Sequence, residues 1–443
     1  MNDTSPQPAP LPLHRPWRHR FAIAFVIATF LLIALGGTVT SKGAGLAVPD
    51  WPTTFNYNMI LFPPSMWVGG IFWEHSHRLM GMLVGLFAIG MAIWLWQTEG
   101  RSQESGDRGQ GTGDRRQGTE SNIESPPTPV GGSARPWLQW FGIATLIAVS
   151  FQGVMGGLRV TELSTTWAVF HGITAQLVLC MTVLIAAATS RWWMALRAPS
   201  RQGGAMSEQR SGGNVAIDNR APTAPPCRDG ARLLRLVYIA LAAILIQLTL
   251  GATMRHHGAG IAIPDFPLAY GDLVPPMTEA GIHDAMIAWS DDPNSFGITE
   301  HGWYSPFQVA IHWAHRLFAV VAIIVVGLMV DTIRRRAKGM SKLRTPAIAV
   351  GVMLLLQVLL GASIIWTGRH PEVATAHQTL GAVLLATTAL IAFRLKAIAD
   401  CGSRIADCNA DSSSPDRHPT GRDSQSAIRN PQSAMAFAQG ARA

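Results

Sequence analysis

Glu74-His75-Ser76-His77-Arg78 returns in altered form as His312-Trp313-Ala314-His315-Arg316, and each copy opens an apolar stretch long enough to cross a bilayer. Ionisable side chains at membrane depth are costly and usually functional, so two copies of such a cluster point to two buried sites. The expected fold is an all-α integral membrane protein whose eight transmembrane helices form two repeated four-helix bundles.

Eight apolar runs lie at roughly 20–37, 71–96, 137–157, 167–190, 233–252, 307–330, 344–366 and 373–396. Only 14% of the residues are charged against 48% hydrophobic, too little charge for a soluble fold of 443 residues. The formal charge of +8 sits in short segments between the runs, without aromatic interleaving, so topology explains it and no nucleic acid is expected. Basic residues cluster before the first run and after the second, fourth and sixth, which places those segments in the cytoplasm with both termini. The opposite loops hold few basic residues (Lys42, Arg159, Arg255, Arg369), and the loop 253–306 is acidic.

The expected organisation is a cytoplasmic segment 1–19, an N-terminal four-helix half 20–190, a cytoplasmic linker 191–232, a C-terminal half 233–396 and a disordered cytoplasmic tail 397–443. Residues 100–135, 198–230 and 400–443 have the polar, Gly- and Ser-rich composition of disordered linkers and tail. The first run ends in Gly36-Gly37-Thr38 without a cleavage pattern and is expected to be a retained helix. Cys180 falls in the fourth run and Cys227, Cys401 and Cys408 on the cytoplasmic side, a spacing that suggests neither a disulfide framework nor a CxxC metal site.

The halves align without a gap from Gly36 to Pro52 and from Gly251 to Pro267, through Pro49-Asp50-Trp51-Pro52 and Pro264-Asp265-Phe266-Pro267. The order then continues with His77 against His315, Gln152…Gly156 against Gln357…Gly361, and His171 against His377. All four histidines fall within about two turns of the outer end of an even-numbered run. A single histidine there is usually an interfacial hydrogen-bonding residue, but four at matched repeat positions are not explained by interfacial decoration. Facing helices of a bundle offer the pairs His77 with His171 and His315 with His377, and two opposed imidazoles suit the axial positions of a heme iron. His75 competes with His77, but its counterpart is Trp313, which favours His77.

Glu74 shares a helical face with His77, whereas His312 takes its place in the second half, so one reactive site and one electron-storing site are expected. Capping of a helix is the plainer role for Glu74. Arg78 and Arg316 are candidates to pair with heme propionates, against snorkelling to the outer surface. Asp50 and Asp265 read as turn formers, and Lys42, Arg255, His256 and His257 as solvated rim. Gly36-Gly37, Gly156-Gly157 and Gly361 permit close approach of a helix or a macrocycle.

Taken together, Gly-Gly-Thr-Val-Thr…Gly-Ala-Gly…Pro-Asp-Trp-Pro, Glu74-x-x-His77-Arg78, Phe170-His171-Gly172, His312-x-x-His315-Arg316 and His377-Gln378 resemble the heme A synthase family, over residues 20 to 396. The resemblance implies a membrane oxidoreductase that converts the C8 methyl of heme O to the formyl of heme A for cytochrome oxidase. It implies heme O between His77 and His171, a cofactor heme b on His315 and His377, and Glu74 as the catalytic carboxylate. Heme O synthase and cytochrome oxidase assembly factors are the implied partners, within membrane lipid. Many bacterial members carry a cysteine pair in the first outer loop; residues 38–70 contain none, so the chain is similar to the cysteine-free type and its electron donor is unassigned. The alternatives are a bis-His b-type cytochrome passing electrons from quinol to a partner, which predicts symmetric sites, and a repeat-built transporter, which predicts midplane sites in broken helices.

Overall fold

Each apolar run becomes one helix, extended at its ends by polar residues that hydropathy does not register. The computed structural model describes residues 16–107, 136–197, 227–290, 303–337 and 340–412. The membrane-length helices are α1 (Pro16–Ser41), α2 (Gly69–Asp107), α3 (Pro136–Thr161) and α4 (Thr165–Ala188) in the first half. After a short α5 (Arg191–Arg197) come α6 (Cys227–His256), α7 (Glu279–Ser290), α8 (Pro306–Arg336), α9 (Ser341–Trp366) and α10 (Pro371–Ser412). Eight of these, all but α5 and α7, are long and apolar enough to span a membrane, and the chain is a multi-pass integral membrane protein. The chain divides by contacts after Cys401, and the description below concerns Met1–Cys401.

Local sequence sets where helices begin. Proline stands first in α1, α3, α8 and α10, where its missing N–H is no loss. Ser164 accepts a hydrogen bond from the Trp167 amide ahead of α4. Ser305 and Gln308 form a reciprocal capping box at α8. Two ends differ from expectation: α2 continues to Asp107 and α10 to Ser412, into residues expected to be disordered. Both extensions hold mostly helix-compatible polar residues with no proline, so polarity alone misplaced the boundary. The rest of the expected linkers and tail, 108–135, 198–226 and 413–443, lies outside the described residues, as does the N-terminal segment before Pro16.

In the first half α1 packs on α2, α2 on α3, α3 on α4, and α4 returns to α1. In the second, α8 packs on both α6 and α9, while α10 meets α9 through Gln357 and His377 and α6 through Leu248 and Gly381. The halves join where α4 packs on α6 and where α1 meets α10, Ser41 Oγ lying 2.9 Å from Thr375 Oγ1. Dense apolar layers fill the end away from the histidines: Phe25, Met91, Leu138 and Ile185 in one half, Val237, Met329, Leu343 and Ile391 in the other. Leu86, Ile93, Phe151, Leu328 and Leu355 are exposed, as residues facing lipid tails must be.

The loops at the histidine end repeat as closely as the helices. Asp50 accepts the amides of Phe55 (2.8 Å) and Asn56 (2.9 Å) and the Thr53 hydroxyl. Asp265 accepts those of Tyr270 (2.7 Å) and Gly271 (2.8 Å). Both aspartates are turn formers. The long second-half loop contains a helix that sequence reading did not find: α7 buries Ile282 and Met286 against Ile261, Ile263, Tyr304 and Val309, packing at the histidine end of that half. The acidic residues around it hid the one-turn spacing of Ile282, Met286 and Trp289.

Candidate functional site

Each of the four histidines rests on a glycine of the neighbouring helix. A Cβ built on Gly36 would stand 2.9 Å from His77 Cε1, on Gly156 3.2 Å from His171 Cε1, on Gly251 3.0 Å from His315 Cε1, and on Gly361 3.1 Å from His377 Cε1. No side chain larger than hydrogen fits without moving the imidazole. The glycines flagged in the sequence at three of these positions therefore seat histidines, and Gly251 completes the set.

The ring centroids of His77 and His171 are 6.4 Å apart. Two imidazoles sharing one metal at roughly 2 Å per metal–nitrogen bond have centroids roughly 6 Å apart, so this spacing fits a shared iron. His315 and His377 line the same cavity on the second-half side. That cavity, about 700 Å³, is bounded mainly by apolar side chains and reaches both histidine pairs, a volume suited to a large flat ligand.

Three histidines are also tethered. Gln152, Gln247 and Gln357, each four residues before a seat glycine, donate from Nε2 to the backbone carbonyls of His171 (3.3 Å), His315 (3.0 Å) and His377 (2.9 Å). The Nδ1 atoms of His171 and His377 each lie 3.1 Å from the main-chain carbonyl of Gln152 and Gln357. As donors there, they leave Nε2 as the acceptor, the tautomer a metal requires. The fourth position is Leu32, four before Gly36, and His77 Nδ1 is buried without a hydrogen-bond partner among the described residues. His75 points elsewhere: it is fully buried between Phe62 and Trp67, with Nδ1 3.2 Å from Thr54 Oγ1.

Glu74 is buried, accepting the Val48 amide (3.1 Å) on one oxygen and Arg78 Nη2 (2.8 Å) on the other. It lines the cavity beside His77. Arg78 also donates to the carbonyls of Asp50 (2.6 Å), Thr53 (2.9 Å) and Val48 (2.9 Å). Arg316 copies this with Asp265 (2.7 Å), Leu268 (2.9 Å) and Ile263 (2.9 Å), and reaches His312 Nε2 at 3.1 Å. The expectation that these arginines meet propionates finds most of their donors occupied by the loops, because a guanidinium beside a row of free carbonyls satisfies them.

Three residues read as rim or loop lie in the cavity wall instead: Arg159, Arg255 and His256. Arg255 donates to Gln378 Oε1 (2.6 Å), the Gly37 carbonyl (2.6 Å) and Ser41 Oγ (2.5 Å), so it bridges the halves. Their position at the last turns of α3 and α6 was visible in sequence, but not the direction in which they point. Outside the spans, partial burial of Asp50 opposes its ionisation, yet the hydrogen bonds from Thr53, Asn56 and Phe55 win and hold its carboxyl below the ordinary range. Burial pushes the Tyr270 phenol up, its hydroxyl donating to the Ala262 carbonyl.

Residues 68–389 match the COX15-CtaA family, described as cytochrome oxidase assembly protein. Among curated relatives, a Heme A synthase of Sphingopyxis alaskensis is 32% identical over 176 residues, 40% of this chain and 42% of that protein. Heme A synthases of Caulobacter vibrioides and Methylorubrum populi are 22% and 23% identical over 399 and 423 residues. Each alignment covers 84% of this chain, with 94% and 84% of the respective relatives.

Proposed function

Because the match over residues 68–389 makes this chain a member of the COX15-CtaA family, we propose that it oxidises the C8 methyl of heme O to the formyl of heme A by successive hydroxylations. The observation that carries this reading is one difference inside a repeated plan. Both halves seat two imidazoles on glycines, but the first sets the carboxylate of Glu74 in the cavity wall where the second has His312. Two equal electron-transfer sites would need no such difference.

In this reading His77 and His171 would hold heme O as substrate, and His315 and His377 would ligate a resident heme b. Bound heme supplies the redox chemistry that an unactivated methyl demands and that side chains lack. Gln152 fixes the His171 imidazole and leaves Nε2 as the nitrogen that would meet the substrate heme. Gln357 holds the His377 ring likewise, and its Nε2 also lies 3.3 Å from His377 Nε2, a contact that a bound iron would replace. Glu74, held between Arg78 and the Val48 amide, keeps lone pairs free to orient water or to accept a proton at the carbon being oxidised. The apolar walls exclude bulk water and strengthen that interaction. Arg78 and Arg316 act indirectly, by fixing the loops that close the outer end.

The basic segments orient the chain with both termini in the cytoplasm and the heme sites toward the outer face of a bacterial cell membrane. Heme O synthase is then the class of enzyme that supplies the substrate, and cytochrome oxidase assembly factors receive the product. The test is expression in a host that makes heme O but lacks its own synthase, followed by pigment extraction. Heme A beside heme B supports the proposal; heme B alone, at two equivalents, makes the chain a b-type cytochrome.

A further inference from the structure

A heme carries two carboxylates, and in a membrane cavity they need cationic partners. Arg78 and Arg316 have most of their donors committed to loop carbonyls, and Arg255 is tied to Gln378, Gly37 and Ser41. Arg159 differs. Its side chain lines the cavity and has no hydrogen-bond partner among the described residues.

Its placement is built. Arg159 follows Gly156, the seat of His171, by three residues, so both lie on one face of α3, with Arg159 about one turn nearer the outer end. Gly45 of the first loop leaves room for the guanidinium: a Cβ there would lie 3.0 Å from Arg159 Cζ and would collide with Nη2. In the second half the repeat places Ile364 at this position on the cavity wall, and the cation there is Arg369, from the turn after α9, whose Cδ would lie 3.3 Å from a Cβ on Gly260, the counterpart of Gly45; Arg159 is thus the cation that α3 brings to the first-half histidines.

The geometry points to Arg159 as the carboxylate anchor of the substrate heme, a site that rests on the reading of the first half as the heme O site. In heme O the methyl to be oxidised shares its pyrrole ring with a propionate. Holding that carboxylate at Arg159 fixes the rotation of the macrocycle about its iron, which two axial imidazoles cannot do. Arg159 thereby decides which methyl faces Glu74.

The test uses purified full-length protein, kept ferric and anaerobic, titrated with heme O and with heme O dimethyl ester while the Soret band is followed. Wild type is expected to bind the ester about ten- to a hundredfold more weakly, the range of a charge-assisted hydrogen bond. Arg159→Gln is expected to weaken heme O by a similar factor and to lose the discrimination, while Arg159→Lys keeps part of it. Circular dichroism and a monodisperse elution profile establish that each variant is folded. Heme O uptake with undiminished ester discrimination in Arg159→Gln overturns the anchor alone. Failure of folded wild type to take up heme O overturns the substrate-site reading, and the anchor with it.

Discussion

Glu74 and His312 occupy one structural node in the two halves: each faces a loop amide, Val48 at 3.1 Å or Ile263 at 3.2 Å, and the arginine four residues on. Both therefore tie a helix to the loop that precedes it. A neutral imidazole accepts at only one nitrogen, so His312 cannot satisfy both donors and has nothing left for the cavity. A carboxylate accepts both and retains lone pairs.

Glu74→Gln should separate the two duties. The amide oxygen can still accept the Val48 N–H, so the loop closes and heme uptake is retained, but the charge is gone. Heme A formation is expected to fall about a hundredfold or more, the usual size of a lost proton-transfer group. Extracted pigments would show heme O accumulating at the wild-type total. Heme A produced at the native rate by this variant would remove the carboxylate from the chemistry.

The glycine seats offer a test independent of turnover. Gly36→Ala places a Cβ 2.9 Å from His77 Cε1 and Gly361→Ala one 3.1 Å from His377 Cε1, so each imidazole must shift. Heme affinity of the affected half should fall about ten- to a hundredfold, as when a ligand's support is lost. Gly85→Ala is the control, since nothing lies within 4 Å of a Cβ there and the residue is not part of the cavity wall. Equal heme content in all three variants would mean the seats do not position ligands.

The eight runs and the four histidines were legible in sequence because lipid exposure writes long apolar stretches and duplication writes landmarks twice. Direction was not. The sequence places Arg78 beside His77, but only the path of the 48–53 loop shows that its guanidinium faces carbonyls of Val48, Asp50 and Thr53. Arg255 and His256 looked solvated because they end an apolar run; the packing of α6 against α4 and of α1 against α10 encloses them. The helix α7 was hidden by the acidic residues on its exposed side.

The glutamine tethers predict unequal retention of heme by the two halves. Gln247→Leu or Gln357→Leu removes a donor to the carbonyl of His315 or His377 and should speed loss of the second-half heme about tenfold or more. Leu32→Gln supplies the absent tether for His77, and should slow exchange from the first half. Transfer of heme to excess apomyoglobin, followed by absorbance, measures both rates. Unchanged transfer from Gln357→Leu would show that the seat glycine alone holds the ring.

Asp50 predicts a pH dependence confined to the loop between α1 and α2. Its folded pKa lies below the ordinary 3.8, because Thr53, Asn56 and Phe55 hydrogen bonds favour the carboxylate over the opposing cost of burial. A depressed folded value means the stabilisation is complete above the unfolded value and is lost as pH falls through the folded one. Hydrogen exchange at the Phe55 and Asn56 amides, corrected for its intrinsic pH dependence, should therefore show constant protection above about pH 4 and loss below it. Asp50→Asn keeps one acceptor oxygen where the carboxylate had two, so one of these amides should exchange faster at neutral pH and the acid step should vanish. An acid step that persists in Asp50→Asn would assign the loop's pH response to another group.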